Sequence, residues 1–134
     1  MADEAPSIKP MVHLDEISQI AVTVSDLVRA KDFYQNVLGM QFLFDAGPMS
    51  FFQSGKIRFA LGTTDKPVTP GGTILYFRVA DIEETHARLV SQGVEFIQSP
   101  HLVAKMPDHD LWIAFLADPD KNPIGLMCEL QRAG

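Results

Sequence analysis

Residues 17–24 alternate: Ile20, Val22 and Val24 fall on one side, and Gln19, Ala21 and Thr23 on the other. A β-branched run with a period of two predicts a strand with two unlike faces. Ser25 and Asp26 follow, either able to cap a helix. Leu27, Ala30, Phe33, Tyr34, Val37 and Leu38 then recur at helical spacing, and Gly39 ends the stripe. Residues 40–44, 49–53 and 56–61 read as short strands, with turns at Ala46-Gly47-Pro48 and Ser54-Gly55. A stretch rich in Thr, Pro and Gly, residues 63–72, reads as a linker. The pattern then returns. Residues 73–79 predict a strand with Leu75, Phe77 and Val79 on one face and Ile74, Tyr76 and Arg78 on the other. Asp81 caps a helix with the stripe Ile82, Thr85, Leu89 and Val90, stopped by Gly93. Residues 94–97, 111–117 and 123–130 predict three more strands, with residues 100–110 as a long connection.

The two halves repeat each other. Val24-Ser25-Asp26-Leu27 matches Val79-Ala80-Asp81-Ile82 at an offset of 55 (24 to 79). Gly39 matches Gly93 at 54 (39 to 93), so the second helix is one residue shorter. The prediction is an α+β domain of two tandem βαβββ modules whose strands form a concave, partly closed mixed sheet. Residues 1–14 are expected to be a loose leader and 15–134 a single domain: module 15–62, linker 63–72, module 73–131. Val22, Val24, Phe77 and Val79 should bury against the helices, leaving the opposite strand faces to form a hollow.

Composition narrows the function. The chain has 134 residues, enough for one self-sufficient core. A net charge of -6 argues against a nucleic-acid partner, which needs clustered basic residues. No apolar run reaches the ~20 residues of a membrane span. Cys128 is the single cysteine, so no internal disulfide forms, and a reducing, cytoplasmic setting is expected.

Two segments carry a family resemblance. Residues 20–26 leading into Asp32-Phe33-Tyr34 and Val37-Leu38-Gly39-Met40 are the first, and Phe115-Leu116-Ala117-Asp118-Pro119-Asp120-Lys121-Asn122 is the second. Together they resemble the vicinal oxygen chelate superfamily, the glyoxalase / bleomycin-resistance / extradiol-dioxygenase fold. Lys121 stands where that family's turn has Gly. The resemblance implies homodimers and, in glyoxalase-like members, a divalent metal held by four side chains from four strands. Those four positions fall on Gln19, Ala60, Ile74 and Gly125, of which only Gln19 carries a donor. A divalent site needs about three imidazole, carboxylate or thiolate ligands. Glu129 shares a strand face with Gly125, but four extended residues span roughly 13 Å, too far to serve the same ion. No metal cofactor is therefore expected, with Gln19 the one weak candidate ligand.

The expected ligand pocket comprises Gln19, Arg58, Ala60, Ile74, Tyr76, Phe115 and Gly125. Gln19 is either an interior amide that orients a ligand or a satisfied core group. Arg58 shares the face of Ala60 and reads equally as a clamp for a carboxylate or phosphate or as an edge residue reaching water; for Arg78 the edge reading is preferred. Trp112 and Phe115 have opposite parity, which assigns Phe115 to the hollow by resemblance and Trp112 to the core. Small residues at Ala60 and Gly125 would leave volume for a ligand. No catalytic residue is assigned beyond a weak candidate, His109, which stands beside Asp108 and Asp110 and could act as a general base. His13 lies in the leader, His86 reads as a solvated helix residue, and His101 flanks the long connection. Cys128 reads as an inert buried thiol. Three functions compete: a small-molecule binder for an apolar or aromatic ligand; a metal-dependent lyase, isomerase or dioxygenase with an altered ligand set, in which His101 or His109 joins Gln19 and Glu129; and an accessory domain that works by association.

Overall fold

A computed structural model describes residues 15–65, 70 and 73–132. The leader 1–14, with His13, and part of the linker lie outside the described residues. The first module runs β1 (Gln19–Val24), α1 (Leu27–Asp32), a π-helical turn (Phe33–Val37), β2 (Gln41–Ala46), β3 (Met49–Ser54) and β4 (Ile57–Thr63). The second runs β5 (Leu75–Arg78), α2 (Ile82–Ser91), β6 (Phe96–Lys105), β7 (His109–Ala117) and β8 (Pro123–Gln131). Each module forms its own four-stranded mixed sheet, in the orders β1-β4-β3-β2 and β5-β8-β7-β6. The two orders are identical, as the sequence repeat requires. Among the described residues no helix is long and apolar enough to cross a membrane.

Capping starts both helices in the same way. Asp26 accepts from the Arg29 N–H and Asp81 from the Glu84 N–H, each at 3.0 Å. The extra residue of the first helix is absorbed as the π-helical turn, where the Leu38 N–H reaches back five residues to the Phe33 carbonyl at 2.9 Å. One apolar cluster spans both modules, with Val24, Tyr34, Phe52, Phe59, Leu61, Leu116 and Cys128 almost wholly buried. Trp112 packs against that cluster, as expected from the resemblance.

The modules are clasped by the β7–β8 turn. Asp118 is buried and accepts from the backbone N–H groups of Asp120 and Asn122 at 2.8 Å and from the Asn122 amide at 2.9 Å. The Tyr34 hydroxyl of the other module donates to the same carboxylate at 2.8 Å. Asp120 receives the Ser25 N–H at 3.2 Å and the Ser25 hydroxyl, at the start of α1. Lys121 takes the left-handed conformation, φ 69°, that glycine adopts more readily.

Three expectations need correction. Residues 100–105 are not a connection: β6 continues through Pro100 to Lys105, with three register shifts against β7. Proline is tolerated there because β6 is an edge strand broken by bulges. His109 accordingly opens β7, and His101 sits within β6 opposite Ile113. On α2, His86 is half-buried with its ring 4.5 Å from that of Phe96, while Val90 is 50% exposed. The buried side of the helix is therefore rotated toward His86.

Candidate functional site

Pairing register decides which side chains share the sheet faces turned away from the helices. In the first sheet Gln19 and Gln53 both lie opposite Arg58, and Ala21 and Phe51 both lie opposite Ala60. In the second, Tyr76 and Phe115 both lie opposite Gly125. Opposed residues on one face stand about 5 Å apart, so each row is a contact set.

The first row is polar. The Arg58 guanidinium carbon is 5.7 Å from the ring centroids of both Phe44 and Phe51, which are 4.9 Å apart. Cation–π attraction to two rings orients the guanidinium while leaving its N–H groups free to donate. A cleft of about 260 Å³ beside it is lined by Ser18, Gln19, Gln53, Lys56 and Arg58. No acidic side chain lines that cleft, and two cations do, so its charge suits an anionic group. Gln19 is exposed here and not interior, because it is the first residue of an edge strand. Sequence reasoning found Arg58 but missed Phe44, Phe51, Gln53 and Lys56. The alternation of Phe51 and Gln53 along β3 was the available signal.

The second row is aromatic. A Cβ placed on Gly125 would stand 2.4 Å from Tyr76 Cδ2 and 2.7 Å from its Cε2, so the tyrosine ring lies directly on the glycine backbone. Tyr76 also meets Phe115 edge-on, with ring centroids 5.7 Å apart. Gly125 therefore does not leave open volume for a ligand; its missing side chain is replaced by the Tyr76 ring. Ala60 is fully buried. Ile74 precedes β5 and is exposed. Of the seven expected pocket residues, Gln19 and Arg58 line one cleft. Tyr76 borders another, of about 130 Å³, with Ile20, Ile57 and Phe59. Gln19 and Arg58 thus share one cleft and Tyr76, Phe115 and Gly125 one contact row, while Ala60 is buried and Ile74 stands outside both.

The four positions that the family resemblance assigns to a metal can be tested on this geometry. Gln19 offers one neutral amide oxygen, Ala60 and Ile74 offer none, and any side chain at position 125 would have to displace Tyr76. These residues do not fit a divalent ion that needs about three strong donors. Among the described residues, no group of three or more His, Cys, Asp or Glu side chains is placed to hold one.

The histidines lie elsewhere. His109 Nδ1 is 2.7 Å from Asp108 Oδ1, and its Nε2 is 4.0 Å from Glu129 Oε2. The hydrogen bond from His109 holds the Asp108 carboxyl below the usual carboxylate range. His101 Nδ1 lies 3.0 Å from the Ser99 carbonyl. Cys128 is buried, its thiol directed at the Ala80 carbonyl at 3.4 Å.

Known proteins place this geometry. The chain is similar to the solved glyoxalase/bleomycin resistance protein/dioxygenase superfamily member from Sphaerobacter thermophilus DSM 20745, at 28% identity and TM-score 0.67, covering 87% of this chain and 98% of that one. The family enzyme from Burkholderia phytofirmans PsJN aligns at 17% identity with TM-score 0.72, covering 87% and 100%. The lactoylglutathione lyase from Agrobacterium tumefaciens aligns at 20% identity with TM-score 0.66, covering 84% and 92%. The last two share the fold, and at such identities the fold alone. No curated protein matches this chain. The family model described as Glyoxalase/Bleomycin resistance protein/Dioxygenase superfamily matches residues 16–126, and the chain belongs to that superfamily.

Proposed function

We propose that this protein binds a small, largely apolar or aromatic molecule on the sheet faces turned away from the helices, without a divalent metal. The observation that carries this reading is the Tyr76 ring seated on Gly125 and edged by Phe115, an aromatic platform where the family would place a metal ligand. Tyr76 is 47% exposed, so a flat ligand has a ring to stack on. Gln19 and Arg58, on the other sheet, line a separate polar cleft, so the ligand of the platform is held by its rings. The partner of such a face is a second copy of this chain, since Phe44 and Tyr76 stay substantially exposed on the two sheets. Sedimentation that returned a monomer at every concentration would refute the dimer.

The test is a thermal-shift and titration screen of neutral and anionic aromatic compounds against the intact protein and the Phe115→Ala variant. Saturable binding that weakens about ten-fold in the variant is expected, from the loss of one aromatic contact. Binding indifferent to Phe115 would contradict the reading.

A second reading, an enzyme with an altered site, is favoured by one observation: His109 lies between Asp108 and Glu129. Asp108 would hold the ring in one tautomer, leaving Nε2 to take a proton from a substrate. Turnover of any substrate lost on His109→Ala, with binding retained, would support it.

A further inference from the structure

We infer that the polar cleft of the first sheet is a phosphate site, taking a phosphate dianion either free or as the end group of a monoester. The inference does not rest on the aromatic platform, which lies on the other sheet. Pairing register builds the site. Gln41 lies opposite Gln53, Gln53 opposite Arg58 and Arg58 opposite Gln19, so a row of amides around one guanidinium crosses all four strands. The adjoining row supplies Phe44 and Phe51, whose ring centroids both stand 5.7 Å from the guanidinium carbon and hold it in place. The Arg58 backbone N–H donates to the Ser18 carbonyl at 3.0 Å, which ties the start of β1 to β4. Gln53 Nε2 donates to the Gly55 carbonyl at 2.6 Å, which steadies the turn that carries Lys56. The cleft of about 260 Å³ is therefore assembled before any ligand arrives, which lowers the ordering cost of binding.

Charge selects the ligand. Elsewhere Arg29, Lys31, Arg88, Lys121 and Arg132 each have a carboxylate partner. Arg58 and Lys56 are exposed and make no ion pair among the described residues, in a chain with 17 acidic residues against 11 basic ones. No described acidic residue lines the cleft, Asp15 and Glu16 of the segment before β1 included. Two cations on one cleft repel each other until an anion lies between them. A carboxylate brings a single charge and is satisfied by the guanidinium fork alone. A phosphate brings a charge of about -2 near neutral pH and enough acceptor oxygens to serve the Arg58 fork, the Lys56 ammonium and the Gln19 amide together. In a chain of net charge -6, the cleft is a local reversal of the overall field.

Calorimetric titration of the full chain with glycerol 3-phosphate, inorganic phosphate and acetate tests the proposal. Both phosphates should bind saturably at one per chain, with acetate about ten-fold weaker or worse. Tighter binding of glycerol 3-phosphate assigns the site to a monoester, and inorganic phosphate binding at least as tightly assigns it to the free ion. Arg58→Gln and Lys56→Gln should each weaken phosphate about ten-fold. Lys105→Gln removes the same charge from an exposed position on β6 of the other sheet and should leave phosphate binding unchanged. Phe44→Leu keeps every charge but removes one supporting ring, and should weaken phosphate about three-fold. Phe115→Ala should leave phosphate binding intact, so that failure of the platform and failure of this cleft are told apart. Absence of saturable binding, equal affinity for acetate, equal weakening by Lys105→Gln, or loss of phosphate binding in Phe115→Ala overturns the proposal.

Discussion

The two modules share a topology but not a surface chemistry. Gln19, Arg58 and Gln53 of the first correspond through the repeat to Ile74, Pro123 and Ala117 of the second, so a polar row faces an apolar counterpart. One step along, Ala21, Ala60 and Phe51 correspond to Tyr76, Gly125 and Phe115. The large ring of Tyr76 fits in the second row because its neighbour, Gly125, has no side chain. The turns differ as well. The first module joins β3 to β4 by Gly55-Lys56, while the second closes with the buried Asp118 that grips Tyr34 and positions Asp120 against Ser25. A duplicated frame thus separates its duties: one module carries the charged cleft, and the other carries the aromatic platform and the clasp.

That division can be broken deliberately. Asp118→Ala leaves four donors without their acceptor at a buried position and should lower stability by about 3–5 kcal/mol by urea unfolding. Lys56→Ala in the corresponding open turn should change it by less than about 0.5 kcal/mol. Equal effects would erase the asymmetry of the turns. Gly125→Ala drives a methyl into the Tyr76 ring and should cost about 1–3 kcal/mol. In a Tyr76→Ala background most of that cost should vanish, a coupling that a double-mutant cycle reads directly. The smallest effect is a slope. Burial, reinforced by the Asp118 carboxylate, pushes the Tyr34 phenol far above its ordinary value. The folded tyrosine stays neutral where the unfolded one ionises near pH 10. Its stabilisation is therefore complete below about pH 10 and falls above it by up to about 1.4 kcal/mol per pH unit. Tyr34→Phe should remove that part of the alkaline slope, and an unchanged slope would assign it elsewhere.

The fold was legible because periodicity and caps are local. The alternation of Ile20, Val22 and Val24, the capping aspartates 26 and 81, and the stops at Gly39 and Gly93 each act within a few residues. Even the single-residue mismatch between the helices was visible, though not that it would form a π-helical turn. Bulges hid β6: they break the period of two, and Pro100 imitates a strand end. The site was less legible because it depends on which rows meet across strands. Parity put Phe115 and Trp112 on opposite faces and the family resemblance chose Phe115 as the outward one, yet no local signal says that Tyr76 lies on Gly125, or that Arg58 rests on Phe44 and Phe51. Those contacts join residues far apart in sequence and are set by register alone.

The most direct measurement is the metal content of protein purified without chelators, followed by titration with zinc, nickel, manganese and iron(II). Substoichiometric metal and no saturable binding that depends on Gln19 are the expected results. One equivalent of tightly held ion, lost on Gln19→Ala, would mean that Tyr76 swings off Gly125 and that the aromatic platform is not what occupies the family's metal position.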